Sequence, residues 1–188
     1  MQRHPYLLAL SAAAVIAAVG TACGTGGAQP TVTVSPTTSP TGEGRLSQQD
    51  RSWLTEIHQV NLAEVELGNL AEKKGATSAV RSVGRRLAND HTHLDDKVTS
   101  VARRTGVSLP GSVAPADAEV AKRLKEESGK AFDQDYLATM ASGHEKAIAD
   151  TKTQISQGSS QQVIALAKQA LPHLREHLAM VRKAQSSG

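Results

Sequence analysis

The stretch SAVRSVGRRLANDHTHLDDKVTSVARR, residues 78–104, decides the fold. Its apolar residues Val80, Val83, Leu87, Leu94, Val98 and Val101 recur at helical spacings and define one buried stripe. Where Leu87 plus three or four should bring another aliphatic side chain, the chain supplies Asp90 and His91. The same lapse occurs once in each of the other three long helical segments: Glu64 in the first, His144 in the third and His177 in the fourth. Four apolar stripes, each interrupted by an ionisable position, predict an all-α bundle with a polar site inside it.

The helix ends read clearly. Ser47-Gln48-Gln49-Asp50 has the form of a capping box and opens a helix through Trp53, Leu54, Ile57, Val60, Leu67 and Ala71. Lys73-Lys74-Gly75 closes it, because cations near a C-terminus and a glycine beyond suit the exposed carbonyls there. Gly75-Ala76-Thr77 is short, so the next helix turns back and ends at Arg103-Arg104-Thr105-Gly106. Leu109-Pro110-Gly111 and Ala114-Pro115 then break the pattern, followed by a short amphipathic piece over 117–127. That connection is long enough to cross the whole bundle. A third long helix covers about 131–157, with Leu137, Met140, Ile148 and Ile155 on its stripe. Gly158-Ser159-Ser160 turns the chain and offers an N-cap. The fourth helix runs to about Ala184 through Val163, Leu166, Ala170, Leu174, Leu178 and Val181, with Pro172 expected to bend it. Short turn, long crossing and short turn give a ferritin-like four-helix bundle in up-down-down-up order over residues 46–185.

What precedes the bundle reads as an address. Arg3 and the apolar run from Tyr6 to Val19, closed by Gly20-Thr21-Ala22, make a secretory signal over residues 1–22. Cys23 is the single cysteine, which rules out an intramolecular disulfide. Its place after small residues resembles the lipobox of bacterial lipoproteins, although Gly20 stands where leucine is usual. That resemblance implies lipidation of Cys23, membrane attachment through the lipid, and exposure on the outer face of the cell membrane. The alternative is ordinary secretion with a free thiol. Residues 23–45, rich in Thr, Ser, Pro and Gly, are expected to form a disordered tether. Aromatic residues are 2% of the 188-residue chain, so aliphatic side chains must build its core. A net charge of +3 without a basic stripe speaks against nucleic-acid binding.

The spaced motifs Glu64…Gly68-x-Leu70-Ala71, Asp90-His91, Gly129-x-x-Phe132-Asp133-x-x-Tyr136, His144 and Leu171-Pro172-x-Leu174-x-x-His177-Leu178 resemble a family of exported bacterial proteins. Its members carry a ferritin-like domain of unknown function and are often described as outer-membrane proteins. The resemblance covers residues 47–184 and departs at Trp53, where phenylalanine is more usual. It implies fold and export but no activity. The outer-membrane label has no counterpart here, because no alternating strands occur.

An inward carboxylate or imidazole needs a partner or an ion. Glu64, Asp90, His91, His144 and His177 therefore form a candidate site for one transition-metal ion, to which His173, four residues before His177, could contribute. His93 points away from His91 and cannot share that site. The chain contains no Glu-x-x-His, the signature of di-iron bundles, which speaks against ferritin-type iron oxidation. The competing reading is a structural network in which Asp90 and Glu64 accept hydrogen bonds from the histidines. Phe132 and Tyr136 read as core, with Asp133 steadying the first turn of its own helix. No serine, histidine and acid fall together, so nucleophilic catalysis has no support. The function expected is a non-enzymatic binding or envelope-associated domain whose protein partner is open, with metal handling or oxidative-stress defence as the alternative.

Overall fold

The computed structural model describes residues 46–187. The expected signal segment, the expected tether and Cys23 lie outside the described residues. Five helices appear: α1 (Gln48–Lys74), α2 (Ser78–Thr105), α3 (Pro115–Glu126), α4 (Gly129–Gln157) and α5 (Gln161–Ser186). The described residues contain no strand, and none of their helices is long and apolar enough to cross a membrane.

The capping box at Ser47 forms as the sequence predicts, Ser47 Oγ accepting from Asp50 N–H while the Asp50 carboxylate accepts from Ser47 N–H. Gly106 adopts φ 70°, and Gly106 N–H donates to Ala102 O and Arg103 O, which ends α2 with a left-handed cap. Gly75 ends α1 at φ −52°, so no positive φ demands glycine there. The demand is room: a Cβ would stand 2.7 Å from Ala71 O. The α5 helix continues through Pro172.

Helices α1 and α2 form one hairpin, α4 and α5 the other; α1 packs beside α4, and α2 beside α5. Two buried carboxylates fix their directions. Asp50, near the start of α1, accepts from the backbone N–H groups of Ser159 and Ser160 in the α4–α5 turn, and from Gln154 Nε2 at 2.6 Å. Asp133, near the start of α4, accepts from Ala76 N–H at 2.8 Å and Thr77 N–H at 2.9 Å in the α1–α2 turn. The start of α4 therefore lies at the end of the bundle where α1 finishes, which gives up-down-down-up order. These contacts correct two sequence expectations. Asp133 serves the neighbouring hairpin rather than the first turn of its own helix, and Ser160 stands at the N-cap position of α5 without a side-chain cap bond.

The crossing from α2 to α4 carries α3 over the α1 and α4 side, where Ala121 and Leu124 are buried. Lys74 Nζ donates to Leu124 O and Lys125 O, neutralising the carbonyl end of α3. The apolar interior forms two principal clusters. One, around Leu67, Leu87, Leu124, Phe132, Tyr136 and Val181, lies toward the α1–α2 turn. The other, around Trp53, Leu54, Ile57, Val98, Val163 and Leu166, lies toward the α4–α5 turn. The polar residues that interrupt the four stripes fill the level between them.

Candidate functional site

Each long helix delivers its polar interruption to that level. His91 from α2, His144 from α4 and His177 from α5 are 0%, 1% and 1% exposed. Their ring centroids stand 5.0–5.5 Å apart. One ring nitrogen of each lies within 4.8 Å of those of the other two.

Hydrogen bonds fix which nitrogens carry protons. Asn61 Nδ2, on α1, faces Asp95 Oδ1 at 3.4 Å, which turns Asn61 Oδ1 toward His91. His91 Nδ1 therefore donates to Asn61 Oδ1 at 2.9 Å. His144 Nδ1 donates to Met140 O, one helical turn back, at 2.8 Å. His177 Nε2 donates to Asp90 Oδ2 at 2.9 Å. The proton of each neutral ring is thus committed outward, and the lone pair is left on His91 Nε2, His144 Nε2 and His177 Nδ1. All three of those atoms are buried and have no hydrogen-bond partner. Buried acceptors left unsatisfied cost about 1–3 kcal/mol each. Ring nitrogens whose opposite N–H is held by a carboxylate or carbonyl are the usual form of a metal-binding histidine.

The rings are neutral near pH 7. Burial, and then the neighbouring rings, hold His91 well below its ordinary value. Burial lowers His144 to about 4, although its bond to Met140 O pulls the other way. Burial likewise lowers His177, against the Asp90 carboxylate. Burial raises Asp90 in turn, but hydrogen bonds from Arg86 and His177 outweigh it and keep the carboxyl ionised. Three neutral imidazoles can bind a cation without first losing protons.

The remaining predicted residues take other places. Asp90 stands behind His177, outside the triad, and is also engaged by Arg86. Glu64, 4% exposed, lies beside His144, with Oε1 at 3.4 Å from the Nδ1 that already serves Met140. Burial, reinforced by Asp117, pushes Glu64 up to about 8, and its Oε2 has no partner. The Tyr136 hydroxyl is also buried without a partner. His173 is exposed, which corrects the expectation that it joins His177. Asn61 escaped the sequence reading, although its step of three from Glu64 and four from Ile57 puts it on the inner face of α1. His58 and Asp95 escaped it too. His58 Nδ1 meets Asp95 Oδ1 at 2.7 Å and its Nε2 meets Pro110 O at 2.9 Å, which ties the crossing segment to α1 and α2.

Residues 35–184 match the model of DUF4142, a domain of unknown function. No curated protein matches the chain. Among solved structures, the crystal structure of a DUF305 fragment from Deinococcus radiodurans is similar, with a TM-score of 0.67 at 14% identity over 76% of this chain and 99% of that one. At that identity the likeness is one of fold.

Proposed function

Because the chain belongs to the DUF4142 family, whose description names no activity, its function has to come from its own residues: we propose that the domain is a metal-binding module in which His91, His144 and His177 hold one first-row transition ion. The observation that carries this reading is the set of three buried imidazole nitrogens, each a lone-pair donor with no hydrogen-bond partner and each oriented by an outer acceptor. Imidazole donors suit zinc, copper, nickel and iron, and the divalent affinity order favours Cu²⁺, then Zn²⁺ and Ni²⁺. Bonds of about 2.1 Å at tetrahedral angles would bring the nitrogens to about 3.4 Å apart, a shift of under about 1 Å per ring. A three-histidine tripod leaves a fourth position, and the near-complete burial of the rings keeps bulk water from it. Binding and handling of the ion, rather than turnover of a substrate, follow from that closure.

The test is metal analysis of the purified protein after incubation with Zn²⁺ or Cu²⁺ and desalting. One ion per chain is expected, with a raised melting temperature, and both are expected to vanish in His144→Ala and His177→Ala. A wild-type protein that retains no metal, with the same substitutions merely lowering the melting temperature, would leave the triad as a structural network.

The N-terminal residues support a second part of the reading: the domain is exported and held to the outer face of the membrane by lipid on Cys23. Handling metal outside the cell, or protecting the envelope against metal-driven oxidation, fits that address. Cys23→Ala is expected to release the protein from membranes, and undiminished retention would refute the anchor.

A further inference from the structure

If the triad takes an ion, the ion must pass a closed layer of side chains, and one path lies behind each ring. Behind His177, Asp90 is bound by Arg86, whose guanidinium also reaches Glu176 at 3.4 Å. A cation arriving there meets a fixed positive charge. Behind His91, Asn61 is held between the ring and Asp95, which is itself engaged by His58. Both of those paths are occupied by satisfied hydrogen bonds.

The third path differs. Beside His144, Glu64 carries an oxygen with no partner. Glu64 lines a cavity of about 70 Å³ between α1, α3 and α4, together with Val60, Asp117, Thr139 and Gly143. An adjoining cavity of about 130 Å³ shares Val60, Asp117 and Gly143 with it. Its lining brings Glu56, Asp117 and Asp150 together against the single cation Lys146, which Asp150 already pairs at 2.6 Å. An excess of carboxylates in a cleft concentrates cations at its mouth.

Gly143 adds an independent observation. It sits in the middle of α4, exposed, where glycine weakens a helix. At Gly68 and Gly84 a Cβ would meet backbone oxygen at 2.6 Å, so packing demands glycine there. A Cβ on Gly143 would meet nothing closer than Glu64 Oε1 at 3.9 Å. No steric demand accounts for this glycine. What its missing side chain does is leave the space over Glu64 clear.

We propose that the ion reaches the triad through the cleft between α1, α3 and α4, with Asp117 at the mouth and Glu64 as the last carboxyl group it meets before His144; this rests on the metal-binding reading above. A residue on the way in lowers the barrier in both directions. It changes the rates of loading and release together and leaves the affinity alone.

The experiment mixes the metal-free protein with Zn²⁺, stops loading at intervals with excess EDTA, and measures the zinc retained. Glu64→Gln is expected to load about tenfold more slowly, and Asp117→Asn about threefold more slowly at low salt with a smaller effect at high salt. Gly143→Leu, which fills the passage without altering charge, is expected to slow loading while the melting temperature holds. All three should end at the wild-type one zinc per chain, with release slowed to match. Glu176→Gln, on the opposite face, should load at the wild-type rate. Zinc bound at wild-type rates in all three variants would overturn the route and leave the metal site standing. So would faster release from Glu64→Gln, which would make that residue a support for His144. A wild-type protein that takes up no zinc would overturn site and route together.

Discussion

Asp50 and Asp133 are counterparts. Each is a buried carboxylate near the start of the leading helix of one hairpin, and each holds the turn of the other hairpin through backbone N–H groups. Burial raises Asp50, but bonds from Ser159, Gln154 and Ser47 outweigh it and hold the carboxyl far below the usual carboxylate range. Asp50→Ala strands those donors in the interior, and chemical denaturation should show a loss of about 3 kcal/mol. Asp133→Ala should cost about 2 kcal/mol through Ala76 and Thr77, and the two losses should add, since they act at opposite ends of the bundle.

The close approach of α1 and α2 makes a second prediction. A Cβ on Gly68 would stand 2.6 Å from Gly84 O, and one on Gly84 the same distance from Gly68 O. Gly68→Ala or Gly84→Ala must force the helices apart, at about 1–3 kcal/mol. Gly143→Ala meets open space and should stabilise the protein by about 0.5–1 kcal/mol. Opposite signs for the same chemical change, read from thermal melts, check the packing.

Asn61 is the residue through which α1 acts on the triad. Asn61→Leu removes the acceptor that keeps the His91 proton on Nδ1, and a chelator-competition titration should show zinc affinity falling about 10–100-fold. Asn61→Asp keeps an acceptor there and should bind zinc more tightly than Asn61→Leu. Equal affinities for the two variants would contradict the orienting role.

The pH dependence of the metal-free protein has two limbs. In the unfolded chain the buried histidines take up protons as pH falls below 6.5, whereas in the fold His144 resists down to about 4 and His91 and His177 are also lowered. The unfolded state then binds more protons, so stability falls with acidification. Glu64 works in the opposite sense, because its folded value of about 8 lies above the ordinary 4.5. Its contribution is present below 4.5 and is lost as pH rises through 8. Between 4.5 and 6.5 three histidines outweigh one carboxyl, and above 6.5 Glu64 acts alone. The melting temperature should therefore peak near pH 6.5, and Glu64→Gln should flatten the alkaline limb and steepen the acid one. A melting temperature level from pH 5 to 8 would contradict the assignment.

The bundle was legible because helical periodicity is written locally. Val80, Val83 and Leu87 mark an inner face without reference to any other helix, and His91, His144 and His177 stand out as breaks in such faces. Position on a face does not reveal which ring nitrogen points inward. A histidine has two, aimed apart, and the choice depends on partners from other helices. Asp90 precedes His91 in sequence yet serves His177 across the α2–α5 contact. Asn61 reads as an unremarkable polar residue until Asp95 fixes its amide. His173 shares a side of α5 with His177 by spacing, but the buried line runs through Ala170, Leu174, His177 and Val181 and leaves it outside. The reach of Asp50 and Asp133 into the opposite hairpin is tertiary information, and local capping rules assign both to their own helices.

The imidazole layer also bears on how the domain comes apart. With no ion, three mutually facing lone pairs form a seam of low cohesion between the oily halves above and below it. Trp53 reports on one half and Tyr136 on the other. Without metal, their fluorescence and absorbance transitions should separate into two steps; with it, the bound cation rivets α2, α4 and α5 at mid-height and the molecule should melt as one.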